Sequence, residues 1–425
     1  MEDSRLFKRA LRSRNYRLFV LGQGTSLIGT WMQQVAMSWL VYRLTGSAML
    51  LGIIGFTSQV PSFFLAPIAG VFADRWDKRR LLFATQSLAL IQAAILAILV
   101  LFGLIQIWHL IILSLLHGTI NAFDIPIRQS FVIQMVDNKA DLSNAIAINS
   151  SIVHATRLIG PTIAGIFVAS FGEGVCFAVN SASYLAVILA LTAMRLSPYE
   201  LPRQKHHVWH EFREGIRYVF EVRPIRTIIV LLAFISLLGM PYSVLIPVFA
   251  KEILHGSSHT YGFLMTATGC GAFLGAIFLA VRKSVVGLGM VIARGPIILG
   301  IGIIVFSISD IFFLSMAALV LAGFGAMTMV ASCNTILQTL VAENMRGRVM
   351  SFFTVAFIGM APFGSLIVGA LAGRIGVKQT VLIGGICCLI SALMFLRQLP
   401  VLRDAIWPIQ DNTSVSEAPG KYGKP

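Results

Sequence analysis

One pattern limits this chain more than any other: apolar stretches long enough to cross a bilayer recur along almost its whole length. Crossing ~30 Å of hydrocarbon as a helix takes about 20 apolar residues. Such segments fall near 17–41, 50–72, 81–104, 108–127, 144–170, 174–194, 227–250, 259–281, 289–308, 311–336, 349–372 and 378–397. In lipid every backbone N–H and C=O must be satisfied internally, so runs this long and apolar are helices. Only 12% of the 425 residues are charged, against roughly 25% in a soluble protein. The sequence predicts an all-α integral membrane protein with twelve transmembrane helices and no separate soluble domain.

The formal net charge of +15 raises the question of nucleic acid, but the distribution of Lys and Arg gives a different answer. They crowd into alternate loops, leaving Arg43, Lys251, Arg374 and Lys378 on the other side. Loops rich in Lys and Arg stay cytoplasmic, so both termini are expected in the cytoplasm and the basic balance reports topology. The first apolar segment, Leu18 to Tyr42, is too long for a cleavable signal. The five cysteines sit in apolar segments with no metal or redox spacing. His206, His207 and His210 lack the carboxylate or cysteine that would complete a zinc site. No metal or other cofactor is expected.

The two halves of the chain repeat. Leu44-Thr45-Gly46-Ser47 with Gly52 matches Leu254-His255-Gly256-Ser257 with Gly262 at an offset of 210. Gly55-Phe56 matches Gly262-Phe263 at 207, and Gln134, Gly160, Gly165 and Gly172 match Gln338, Gly364, Gly369 and Gly376 at 204. Ordered matches of this kind indicate a duplicated six-helix unit. Duplication is typical of secondary transporters, whose site lies near the midplane between the repeats. The expected organisation is a basic arm over 1–16, bundles over 17–196 and 227–400, a linker over 197–226, and a disordered polar tail over 401–425. Within the linker, Trp209, Phe212, Ile216, Val219 and Phe220 recur at helical spacing and predict an amphipathic helix on the membrane surface.

Three constellations carry chemistry. Between the second and third segments stands Gly70-Val71-Phe72-Ala73-Asp74-Arg75-Trp76-Asp77-Lys78-Arg79-Arg80, six charges in a tight turn. Asp74 can face the positive amino-terminal end of another helix and pair with an Arg. Such contacts form only when the halves close on that side, so they bias one of two states. The fifth segment holds Arg157, Gly160, Pro161 and Gly165; a proline there frees a carbonyl and bends the helix. The fourth carries His117, Asn121, Asp124 and Arg128 along one face. With His154, Arg157, Gln34 and Asn334, these are candidates for a polar, proton-carrying cavity. The alternative for Asp124 is a simple i,i+4 pair with Arg128. Met327 on the tenth segment and Pro241-Tyr242-Ser243 on the seventh suit adaptable binding of apolar ligands, or plain packing.

The stretch from Gly70 resembles the Gly-x-x-x-Asp-Arg-x-Gly-Arg-Lys signature of the major facilitator superfamily, with Gly70, Asp74, Arg75, Lys78 and Arg79 in place and Asp77 where the pattern has Gly. Arg157 to Gly165 resembles that superfamily's Gly-Pro antiporter motif without its leading glycines. Asp124-Ile125-Pro126-Ile127-Arg128-Gln129, Leu142 to Asn149 and Arg346-Gly347-Arg348-Val349-Met350-Ser351 complete a set similar to the enterobactin-exporter branch, which also holds macrolide and multidrug proton antiporters. The resemblance implies a cavity built from helices 1, 4, 7 and 10, and export of small amphipathic molecules driven by proton entry.

No Gly-x-x-x-x-Gly-Lys-Ser/Thr loop is present, so an ion or substrate gradient rather than ATP is the expected energy source, with the proton gradient the one the resemblance implies. The expected partners are a small amphipathic substrate and the lipid bilayer, with the chain a monomer in the bacterial inner (cytoplasmic) membrane. The alternatives are a siderophore-specific exporter, a lipid or lysophospholipid translocator, an importer, or a membrane-embedded enzyme. The enzyme would need a third partner for His117 and His154 that the sequence does not supply.

Overall fold

The computed structural model describes residues 10–136, 138, 141–195, 208–282, 287–343 and 345–416, with side chains for all of these but 66–68, 70–75, 154, 208–212 and 401–416. Among the described residues every regular element is helical. The long ones are α1 (Arg14–Thr45), α2 (Ala48–Arg75), α3 (Lys78–Leu101), α4 (Ile107–Met135), α5 (Leu142–Phe171) and α6 (Glu173–Ala193). After a linker helix, Val208–Glu221, come α7 (Arg223–Ile253), α8 (Ser258–Val281), α9 (Leu288–Ile308), α10 (Phe312–Leu340), α11 (Arg346–Ile375) and α12 (Val377–Ser416).

Where the sequence predicts twelve spans of one kind, eleven helices among the described residues, α2 to α12, are long and apolar enough to cross a membrane. α1 has the length, 32 residues, but Gln23, Ser26, Thr30, Gln33 and Gln34 dilute its apolar surface. Three of those, Gln23, Ser26 and Gln33, are buried, so its polarity faces protein. At the other end, the backbone of α12 stays helical to Ser416, whereas composition predicts disorder from 401. Helix formers continue through Leu402, Arg403 and Ala405, so propensity does not stop where the apolar run does.

The packing repeats as the sequence does. In the first six helices α1 packs on α6, α2 on α4, and α3 on both α4 and α6. In the second six α7 packs on α12, α8 on α10, and α9 on both α10 and α12. Two seams join the sets, α2 against α11 and α5 against α8. Both cross at glycine. A Cβ on Gly52 would stand 2.9 Å from Gly369 Cα, and one on Gly165 would stand 2.9 Å from Gly262 Cα. Small residues let backbones approach this closely where lipid offers no hydrophobic drive between helices. The reciprocal contacts pair Gly52 with Gly262, and Gly165 with Gly369, as equivalents. They select the offset of 210 for Gly262 over the competing 207.

Both crossings lie at the end of the bundle away from the linker helix. More contacts close that end. Trp39 stacks on Tyr261 with ring centres 6.3 Å apart, and the Lys251 ammonium lies 5.4 Å from the centre of the Tyr42 ring. Ser258 Oγ donates to the Gly165 carbonyl at 3.3 Å, and the Thr162 and Thr266 hydroxyls are hydrogen-bonded. Within the first set, Arg43 forks onto Glu173 at 2.8 and 3.2 Å. At the opposite end the linker helix seats on the start of α11: Glu214 pairs with Arg348 at 2.7 Å, and a Cβ on Gly215 would meet the Phe352 ring at 2.9 Å. Ile216 and Val219 turn inward, Val219 being buried. One face of the described part of this helix therefore packs on protein, while Phe220 stays exposed.

Candidate functional site

Between the two seams lies a cavity with two adjoining lobes of about 460 and 400 Å³, which share Gln34, Gln59, Met240, Ser243, Met265 and Ala361. Its walls differ by origin. The first six helices give the first lobe a polar wall that includes Thr30, Gln34, Gln59, Gln92, His117 and Asn121. The second six give both lobes a soft apolar wall, with Met240, Met265, Met327, Val330, Phe357 and Ile358 prominent.

A buried amide network holds the polar wall in place. Gln33 Nε2 donates to Gln92 Oε1 at 3.2 Å, Asn180 Nδ2 donates to Gln33 Oε1 at 2.8 Å, and Gln92 Nε2 donates to the Leu113 carbonyl at 3.1 Å. Four helices, α1, α3, α4 and α6, are thus tied through side chains that would be costly to leave unpaired in an apolar bundle. Gly29 makes the tie possible, since a Cβ there would stand 3.1 Å from Asn180 Cα. His117 and Asn121, one turn apart on α4, face the first lobe with Nε2 and Nδ2 2.9 Å from each other.

Asp124 and Asn334 do not line either lobe. Asp124, 4% exposed, accepts from Thr85 Oγ1 and Gln86 Nε2, both at 2.8 Å, and lies 3.6 Å from Arg128 Nε. The polar stripe of α4 leaves the cavity beyond Asn121, where α3 closes over it. The alternative of an i,i+4 pair describes Asp124 in this conformation. Asn334 accepts from Gln338 Nε2 at 2.9 Å on α10. His154's side chain lies outside the described residues.

Arg157, Pro161 and Trp31 line the second lobe with Tyr242 and Thr268. Gly160 admits Trp31, as a Cβ there would stand 2.7 Å from Trp31 Cβ. Gly165 makes the seam with α8. The Gly-Pro stretch therefore serves three neighbours at once: cavity, α1 and α8.

In the charged turn, the side chains of Gly70 to Arg75 lie outside the described residues, Asp74 and Arg75 among them. The rest of the turn binds its own half. Asp77 caps α3, accepting from the backbone N–H groups of Arg79 and Arg80 at 2.8 and 3.3 Å. Arg79 donates to the last carbonyls of α6, Leu191 at 2.9 Å and Thr192 at 3.1 Å. Lys78 is buried.

The cavity draws on more helices than the resemblance implies. Beyond α1, α4, α7 and α10, both lobes take residues from α2, α8 and α11, and the second from α5. Gln59, Gln92 and Gln33 belong to the site or its support, and the sequence patterns do not single them out. A signal is there: each is an amide inside an apolar run, which is expensive in a membrane without a purpose.

Two duplicated helix sets, sealed together at one end and enclosing a cavity, define a multi-pass helical membrane transporter. Over residues 9–414 the chain matches the MFS_3 family, transmembrane secretion effectors, and it belongs to that family of the major facilitator superfamily. It is 28% identical over 371 residues to the staphyloferrin A transporter of Staphylococcus aureus, covering 87% of this chain and 92% of that one. It is 24% identical to the multidrug efflux pump Tap of Mycolicibacterium fortuitum, covering 84% and 89%. Among solved structures, a point mutant of the nucleoside transporter NupG superposes with a TM-score of 0.71 at 12% identity, over 90% of this chain and 98% of that one. A bacterial homologue of the lysosomal transporter Spinster, inward-facing and unoccupied, gives 0.65 at 16% identity over 92% and 99%. The chain is thus a secondary transporter of the major facilitator superfamily, not an enzyme.

Proposed function

We propose that this protein exports small amphipathic molecules across the bacterial inner membrane by alternating access, driven by proton entry and without ATP. In this reading α1 spans with the other eleven long helices, both termini are cytoplasmic, and the monomer is the working unit. The cavity's division into a polar wall from one half and a Met-rich, aromatic wall from the other carries the proposal. Such a pair of walls suits a molecule with one polar and one apolar face, and methionine surfaces adapt to varied shapes.

Export needs a conformation that loads from the cytoplasm, and the seal fits one. With the linker on the cytoplasmic side, the glycine seams close the outer end, so this conformation is the one that loads cargo from the cytoplasm. Asp74 and Arg75 would then act in the opposite conformation, latching the cytoplasmic ends together when the outer end opens. His117, facing the lumen beside Asn121, joins Asp124 as a candidate proton carrier.

Inverted membrane vesicles loaded with acid test the proposal against a panel of anionic, neutral and cationic fluorescent amphiphiles. Accumulation of a probe with release of protons is expected, and His117→Gln or Asp124→Asn should uncouple the two. Accumulation that is indifferent to the pH gradient would overturn proton antiport. Movement of every transported probe in the opposite direction would overturn export.

A further inference from the structure

Arg157 lies near the midpoint of the 30-residue α5, about 20 Å of helix from either end. That is too deep for its side chain to reach a membrane surface. Arg157 is not packed away inside the protein, and it lines the second lobe of the cavity. Among the described residues it is the one permanent charge that lines the two lobes. Among the described residues no carboxylate pairs with it. Asp124 is engaged by Thr85, Gln86 and Arg128. Glu173, Glu214, Glu221 and Asp310 are paired with Arg43, Arg348, Arg217 and Lys378. The remaining acids with described side chains, Asp77, Asp141, Glu252 and Glu343, sit at helix ends or in turns.

A cation held inside the membrane span without a counter-charge is costly, and such residues mark ligand sites. Resting on the reading of this cavity as the transport site, we infer that the second lobe takes an organic anion, whose carboxylate or phosphate docks on Arg157 while its apolar body lies on the methionine wall. Guanidinium presents a planar fork that matches both head groups. Tyr242 and Thr268 add hydroxyls on the same lobe. Trp31 and Met327 offer the apolar bed. The backbone that carries the cation is also fixed in place. A Cβ on Gly269 would stand 2.9 Å from the Arg157 carbonyl oxygen, so α5 and α8 are in backbone contact at this residue.

The test uses the purified full-length protein and two probes that differ in charge alone, dansyl-phenylalanine and its amide, read by energy transfer from tryptophan. The acid is expected to bind at least tenfold more tightly than the amide. Arg157→Gln should remove that difference while keeping the amide's affinity, and Arg157→Lys should keep part of it. Equal binding of acid and amide by the intact protein, including failure of both to bind, overturns the inference whether or not the variants fold. So does a preference that survives in folded R157Q. Competition separates the two sources of the anion. Displacement of the dansyl acid by lysophosphatidic acid but not by N-acetylphenylalanine assigns a lipid phosphate, and the reverse assigns a small carboxylate. An acid preference in a protein whose vesicles move no probe would sink the export reading and leave the anion site standing. Transport of cationic dyes with no acid preference would do the opposite.

Discussion

Gly52 of α2 and Gly369 of α11 cross with so little space that a Cβ on the first would stand 2.9 Å from the Cα of the second, and a Cβ on the second 2.8 Å from the Cα of the first. Gly165 and Gly262 repeat the crossing between α5 and α8, with 2.9 Å in both directions. The molecule is therefore sealed at one end by two equivalent backbone contacts, each with no side chain to compress.

Adding a side chain at either seam should open that end. Overpacking typically costs about 1–3 kcal/mol, and only the sealed conformation bears that cost. Gly369→Leu is expected to shift the population by about 5- to 150-fold. The check is labelling of a cysteine placed at Gln34, in a protein stripped of its native cysteines, by an impermeant maleimide from the side away from the linker. Labelling as slow as in the parent would refute the seal.

Asp124 and Arg128 should behave as a unit. Asp124→Asn weakens charged hydrogen bonds worth about 2 kcal/mol each way and leaves Arg128 half-buried beside a neutral group. Arg128→Gln on top of it should therefore cost less than Arg128→Gln alone, because the second loss finds no charge to abandon. Thermal unfolding of the two single variants and the double variant gives the coupling. Strict additivity would show that the 3.6 Å pair contributes nothing.

The charged turn divides into a cap and a latch. Asp77→Ala removes an N-cap and should cost stability, about 1 kcal/mol, read as a lower unfolding temperature. Asp74→Asn should spare stability and cripple turnover per folded molecule, since the proposed latch forms only during the transport cycle. Normal turnover by a well-expressed D74N protein would remove the latch from the mechanism.

Gly215 sets how closely the linker helix lies on α11. Gly215→Leu should lift it from Phe352 and speed amide hydrogen exchange over 213–221, by more than Glu214→Gln does. The Glu214–Arg348 pair is partly exposed, and such pairs contribute only about 0.2–1 kcal/mol. Unchanged exchange in G215L would show that the seat is not fixed by this contact.

Much of the site is legible without the structure. A proline inside an apolar run singles out Arg157, Gly160, Pro161 and Gly165, and a spacing of one turn singles out His117 and Asn121. Asp124 shows why the rest is not legible. It shares a nominal face with His117 and Asn121, yet α3 supplies Thr85 and Gln86 just where that face would reach the lumen. Spacing along one helix gives a direction, and it gives no information about which neighbour stands there. Gln59 and Gln92 are visible as amides in apolar runs, but nothing local says whether such an amide meets a ligand or another amide.

The sequence by itself determined that this is a helical membrane protein built from a repeated unit, because lipid admits only backbones that satisfy themselves, and because glycines recurring in order leave a record of duplication. It also determined that the second segment's Gly52 answers to Gly262 in one alignment and that Gly55 competes for the same partner. Only the tertiary structure decided between them, since it is the crossing with Gly165 that identifies Gly262. The structure alone decided that the cavity has a polar and an apolar wall, and that Arg157 faces the lumen while Asp124 does not. Those are outcomes of how helices distant in the chain lean together, and no local pattern of residues encodes the angle at which they meet.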